Sequence, residues 1–228
     1  MAVMQEIIAM LLSPESELRQ IIGVTLRMSL FSTIIALLIG VPLGTIIALS
    51  SFPGKRLLLR LVHTLMGLPP VVAGLVIFML LSRSGPLGEL QLLFSITAMV
   101  LAQVLIITPI VIGQTVAIVD TRLPLVKETA WGIGLSRSRQ LLFMLYECRL
   151  QLFSVVFIGF GRAISEVGAA QIVGGNIQWH TRVMTTAIVL ETNRGNFNLA
   201  IGLGVVLLII AFIVTSLTQF LQEGGQRR

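Results

Sequence analysis

Five stretches of this chain are apolar for long enough to cross a bilayer, and they limit what it can become. They run roughly over 21–50, 57–81, 92–119, 150–173 and 199–221. A hydrocarbon core about 30 Å thick takes about 20 helical residues to cross. Inside lipid every backbone N–H and C=O must be bonded within the protein, which leaves helices as the economical solution. The blocks therefore predict an all-α integral membrane protein with five transmembrane helices. Composition agrees: charged residues are 11% of the 228 and hydrophobic ones 55%, against about 25% charged in soluble domains. By length, 1–228 reads as one transmembrane domain. A net charge of +6 would suit nucleic acid, but the cations gather beside the apolar blocks, as membrane topology demands. The lone Cys148 excludes an internal disulfide. His63 and His180 have no ligand-spaced partner, so neither a metal site nor a catalytic set is expected.

Breaks inside the blocks carry further information. Met1–Leu12 is apolar but short, and reads as interfacial. Ser13-Pro14-Glu15 is a helix start, with a cap, a first-turn proline and acids in place. Gly40, Pro42 and Gly44 predict a kink or a thin packing surface in the first block. Pro69-Pro70 interrupts the second block, and Pro109 lies inside the third. Residues 174–198 separate blocks four and five. Their apolar piece, 183–190, is too short to span and reads as re-entrant or interfacial, packed inside the protein.

The only long polar segment in the interior is Asp120–Arg139. Pro124 is expected to end the preceding helix. Leu125–Ala130 then reads as one or two turns, closed by Gly132 and Gly134, with a new helix opening near Arg137 and Arg139. Glu128, Thr129, Ala130 and Gly134 match Glu-Ala-Ala, three residues, Gly. Placed between the third and fourth blocks, this resembles the cytoplasmic coupling loop of ABC importer permeases. The resemblance implies a coupling helix that docks on an ATPase subunit, with Glu128, Thr129, Ala130, Gly134 and Arg137 as the coupling residues. If that loop is cytoplasmic, Lys55, Arg56, Arg60, Arg122, Lys127, Arg137, Arg139, Arg149, Arg227 and Arg228 lie inside, and Arg19, Arg83, Arg182 and Arg194 outside. That bias predicts the N-terminus out and the C-terminus in.

The fourth block holds Gly159-Phe-Gly-Arg-Ala-Ile-Ser-Glu-Val-Gly-Ala169. Arg162 and Glu166 stand four apart, on one face of a helix. Ionisable groups at such depth face a partner or a watery cavity. They line a transport pathway or lock helices together as an ion pair, and both readings stand. Gly159, Gly161 and Gly168, with Ala163, Ala169 and Ala170, predict close helix approach.

Within that block, the run Gly161-Arg-Ala-Ile-Ser-Glu-Val-Gly-Ala169 resembles the fourth-span motif of molybdate, tungstate and sulfate importer permeases. Phe52-Pro-Gly-Lys55 and Leu68-Pro-Pro-Val-Val-Ala-Gly74 are similar to that family's first turn and second span. Gly168–Asn176 and Thr181–Ile188 look most like its tungstate type. Tyr146-Glu147 departs from the Leu-Pro found there in many other importers. The resemblance covers nearly the whole chain. It implies the importer permease core arrangement and alternating access, with Arg162, Ser165, Glu166 and Gly168 on the pathway and Arg182 and Arg194 at the periplasmic mouth. Those two arginines would either attract a dianion or serve as surface cations. No Gly-x4-Gly-Lys-Ser/Thr motif occurs in the chain, so ATP and Mg are expected on a partner. The implied assembly is a homodimer in the cytoplasmic membrane, with two ABC ATPase subunits and a periplasmic or lipid-anchored oxyanion-binding protein. Tungstate is the expected cargo, with molybdate or sulfate as alternatives. A secondary transporter is the rival class, but the paired repeats it would show are not evident.

Overall fold

A computed structural model of the chain describes residues 17–132 and 137–226, and among these there are helices, turns and no strand. The helices are α1 (Glu17–Leu49), α2 (Lys55–Met66), α3 (Pro70–Leu81), α4 (Ile96–Gly132), α5 (Arg137–Glu147), α6 (Arg149–Ile164), α7 (Gly168–Gly174), α8 (Met184–Asn193) and α9 (Phe197–Gln226). The expected start at Ser13–Glu15 and the interfacial segment Met1–Leu12 lie outside the described residues.

The centre of the fold is the pair α1 and α4. Small residues on α1 let the two backbones come together. A Cβ built on Gly40 would lie 2.6 Å from Val111 Cγ1, and one on Gly44 would lie 2.9 Å from the Ile112 carbonyl oxygen. Ala36 joins this seam, sharing an apolar cluster with Ile107, Val111, Val155 and Ala163 that brings in α6. Of the two expectations for Gly40-Val-Pro-Leu-Gly44, the packing surface is realised, and α1 runs as one helix through Pro42. Close approach of this kind gives van der Waals contact where lipid offers no hydrophobic drive between helices.

Among the described residues, three helices are long and apolar enough to cross a membrane on their own: α1, α4 over Ile96–Pro124, and α9 over Phe197–Leu217. The second and fourth blocks are not straight spans. The second is α2 and α3, bent by 99°, and the fourth starts from α5 and α6, bent by 74°. Counting each bent pair as one span gives five. The first bend follows from local chemistry. Gly67 closes α2, with its N–H on the Thr64 and Leu65 carbonyls, Pro69 is extended, and Pro70 takes the first position of α3, where a missing N–H does no harm.

Two expectations are corrected here. The fourth block does not continue to 173: α6 stops at Ile164 and a new helix, α7, starts at Gly168. The helix gives way because side chains take over its backbone groups. Ser165 Oγ donates to the Arg162 carbonyl at 3.1 Å, and Glu166 Oε1 accepts the Ala169 N–H at 3.3 Å. Arg162 and Glu166 are thus four apart across a helix end rather than along one face. Nor does Pro124 end the third helix. The helix passes through it to Gly132, so Leu125–Ala130 is helical as part of α4 rather than as a separate element. A helical proline removes the bond to the carbonyl four residues back and crowds that carbonyl. Here that residue is Asp120, which is exposed, so an outside partner can take the place of the lost donor.

The piece after α7 folds inward as expected. In α8, Met184, Thr185, Thr186, Ala187 and Glu191 are buried. Met184 and Ala187 share a cluster with Leu18, Ile21, Ile164 and Leu203, which ties α8 to α1, α6 and α9.

Candidate transport site

The two helix breaks meet. A Cβ on Gly168, the first residue of α7, would lie 2.8 Å from Val71 Cγ2 at the start of α3, and one on Gly74 would lie 2.8 Å from Ala169 Cα. Ala73 and Leu81 of α3, Ala169 and Val173 of α7, and Ala98, Ala102 and Ile106 of α4 form one buried cluster around this contact. Gly159 is also a contact glycine, 3.3 Å from Ile107 by the same construction, whereas Gly161 has nothing within 4 Å and does not serve close approach. Irregular backbone at membrane depth persists only where it is buried in protein or lines a water-filled cavity. These breaks are therefore where polar chemistry belongs.

Glu166 occupies the second break. Its residue surface is 2% exposed. One carboxylate oxygen takes the Ala169 N–H; the other, Oε2, lies 3.6 Å from Arg162 Nη2 and has no hydrogen bond. The Arg162 side chain is 33% exposed. The pair is asymmetric: a buried carboxylate depends on a cation that retains access to the outside. Thr185 Oγ1 donates to the Glu166 carbonyl at 2.7 Å, so α8 fastens the break from the other side. Ser165 is exposed beside it. Arg162, Ser165, Glu166 and Gly168 thus sit together, while Gly168 works as a packing residue.

Part of the polar scaffold lies beyond the residues singled out from sequence. Gln103, 1% exposed in the first third of α4, accepts from Ser32 Oγ at 2.6 Å and donates to the Ala163 carbonyl at 2.8 Å. It joins α1, α4 and the last turn of α6. Thr25 Oγ1 likewise accepts the Met184 N–H at 2.9 Å, linking α1 to the start of α8. A glutamine within a long apolar run is the available signal, since polar groups in lipid must find partners.

The turn from Gly174 to Arg182 is fastened at several points. Thr181 Oγ1 bonds the Gly174 carbonyl and receives the Ile177 N–H, and the Ile177 carbonyl accepts the N–H groups of His180, Thr181 and Arg182. Arg182 is 8% exposed and pairs with Glu17 of α1, which also accepts from Gln178 Nε2 at 2.8 Å. Arg194 lies 3.1 Å from Glu191, which Asn196 also bonds. Neither arginine offers a free charge, so neither the dianion-attracting reading nor the surface-cation reading describes Arg182.

Glu128, Thr129 and Ala130 lie in the last turns of α4, and Arg137 is the first residue of α5. Gly134 lies outside the described residues, so the coupling expectation rests on the sequence.

An all-helical membrane chain whose broken helices meet around a buried charged group has the architecture of a transport permease. Residues 40–228 match the binding-protein-dependent transport system inner membrane component family, and the chain belongs to it. It is 39% identical over 214 residues to the tungstate uptake system permease protein TupB of Peptoclostridium acidaminophilum, covering 94% of both chains. TupB of Campylobacter jejuni is 41% identical over 75% of this chain and 72% of its own. A probable anion ABC transporter permease of Haloferax volcanii is 35% identical over 86% and 87%. Sulfate transport system permeases lie further off, at 28% and 30% identity.

Proposed function

We propose that this chain is the permease subunit of an ATP-driven importer for tungstate. The observation that carries the reading is end-to-end likeness to a tungstate uptake permease at an identity well above that of the sulfate permeases. The site is compatible with such cargo. A dianion passing the second break meets Arg162, and the carboxylate that would repel it is turned inward and bonded to Ala169. Molybdate, a tetrahedral dianion like tungstate, is the nearest alternative.

In this reading two copies form the pore about a two-fold axis in the cytoplasmic membrane, with the N-terminus out and the C-terminus in. Two ATPase subunits hold ATP and Mg and grip the segment from Glu128 to Arg137. A periplasmic or lipid-anchored binding protein delivers the oxyanion to the end carrying Arg182 and Arg194. Alternating access then moves the α2–α3 and α6–α7 breaks relative to one another.

The test is uptake by proteoliposomes that contain the permease, its co-purifying ATPase and the binding protein. Tungstate should accumulate only with ATP, molybdate should compete and sulfate should compete weakly. Uptake without an ATPase would make the chain a secondary transporter, and preference for sulfate would overturn the cargo.

A further inference from the structure

Helix α2 has three distinct faces, and the functional reading above uses none of them. Lys55, Leu59, Val62 and Met66 face the protein: Val62 is buried and the others are half-buried. Leu57, Leu61 and Leu65 form an apolar stripe 62%, 53% and 44% exposed. Arg56, Arg60 and His63 form a second exposed stripe, continued by Thr64. At 100° per residue these groups centre on directions about one third of a turn apart. Arg56, Arg60 and His63 make no ion pair among the described residues.

The basic stripe is not confined to the membrane surface. At its start, Lys55 Nζ donates to the Ala48 carbonyl at the end of α1. Leu59 packs on the cluster that includes Val116 and Val119 of α4. At the other end, Met66 fills the space over Gly113, where a Cβ would lie 2.5 Å from its sulfur. α2 therefore descends along α4 from Val119 toward Gly113. Gly113 is six residues inside the apolar block that ends at Val119, about 9 Å at 1.5 Å per residue, so α2 leads from the membrane face into the apolar region and His63, one turn before Met66, lies past its edge. Ionisable groups within a span turn to a partner or a watery cavity, and these three have no ion-pair partner among the described residues. The apolar stripe beside them is the face suited to acyl chains.

The stripe also has a destination. α2 ends at Gly67 and Pro69, and the next residues, Pro70 and Val71, touch Gly168, two residues from Glu166. One end is at the α1–α2 turn and the other at the meeting of the breaks.

We propose that Arg56, Arg60 and His63 are a stepped cation stripe along which the translocated dianion moves between the helix breaks and the membrane face at the α1–α2 turn. This rests on the oxyanion-importer reading. Several exposed single charges suit conduction better than one deep site, because an ion must be held strongly enough to enter and weakly enough to leave.

The experiment is cysteine accessibility in the assembled transporter in liposomes, made in a Cys148→Ser background. Cys148 is fully buried, so a parallel series that retains it covers the case in which Cys148→Ser disturbs folding. Arg60→Cys, His63→Cys and Thr64→Cys are compared with Leu57→Cys, Leu61→Cys and Leu65→Cys, using a charged, membrane-impermeant thiosulfonate applied from both sides. The basic stripe should react and the leucine stripe should react at least about tenfold more slowly, since lipid excludes a charged reagent. Tungstate at twice its apparent Kd should slow labelling of the basic stripe about threefold. Equal labelling of the two stripes, no labelling of the basic stripe, or labelling that no oxyanion slows would each overturn the proposal. Slowing caused by molybdate or sulfate but not by tungstate would support the stripe and overturn tungstate as the cargo.

Discussion

The seam between α1 and α4 and the junction of α3 with α7 are both built from small residues, yet they do opposite things. At the seam, Gly40 and Gly44 sit against Val111 and Thr115 on two unbroken helices. Apart from the bonds that Pro42 and Pro109 cannot make, backbone bonding stays inside each helix, and the contact locks. At the junction, Gly74 meets Ala169 and Gly168 meets Val71, but each helix starts only a few residues away. The same close approach there brings helix ends together, and helix ends carry unpaired N–H and C=O groups that attract side chains. Small residues therefore permit contact, and whether the contact is a lock or a site depends on helix continuity.

The contrast can be broken most severely at the seam. Gly44→Val places its Cβ against a backbone carbonyl as well as Thr115. It should cost about 3 kcal/mol, the top of the usual range for overpacking. Membrane abundance and thermal unfolding in detergent should both fall, and an unaffected Tm would mean that the seam can open.

At the junction the expected effect is smaller and unequal between partners. Arg162→Gln leaves the buried Glu166 carboxylate without its cation and should cost about 2 kcal/mol, less than the roughly 3–5 of a fully enclosed pair because Arg162 is partly exposed. Glu166→Gln keeps an acceptor for the Ala169 N–H and should cost less. The double variant should recover part of the Arg162→Gln loss. Abundance and uptake across the four combinations decide the matter, and simple addition of the two losses would show that the residues act separately.

Gln103→Leu joins the two regions, because Gln103 links the seam to the end of α6. It should lower stability by about 1 kcal/mol, typical of a hydrogen bond between membrane helices. If it locates the break, uptake should fall by more than abundance does. The weakest effect should come from Glu17→Gln, about 1 kcal/mol, because the glutamine keeps an acceptor for the buried Arg182. Its signature is faster amide exchange over 175–182, and unchanged exchange would show that Thr181 alone holds the turn.

Much of the fold is legible in the sequence because lipid leaves so few choices. Block lengths locate α1, α4 and α9, and Pro69-Pro70 marks the first break. The second break is hidden, because Ser165 and Glu166 read as riders on a helix. Their side chains compete with the helix for its own backbone bonds, and hydropathy does not record that competition. Pro124 misleads the other way, as an interior proline removes one backbone bond and crowds a carbonyl, which kinks a helix without always ending it. Of the site, the pairing of Arg162 with Glu166 is legible from spacing. The Arg182–Glu17 pair is not, since it joins residues far apart in the chain and depends on the path of α8.

α1 grips α4 along most of its length: Val24 and Met28 pack on Met99 and Val100, Ser32 bonds Gln103, Gly40 and Gly44 sit on Val111 and Thr115, and Ala48 lies beside Val116 and Val119. From Val119 to Gly132 is about 20 Å at 1.5 Å per residue, and Pro124 lies within that length. The end of α4 is then a cantilever fixed at Val119. A sideways push on Gly132 would bend it near Pro124, where a helical bond is missing, and would not reach Gln103.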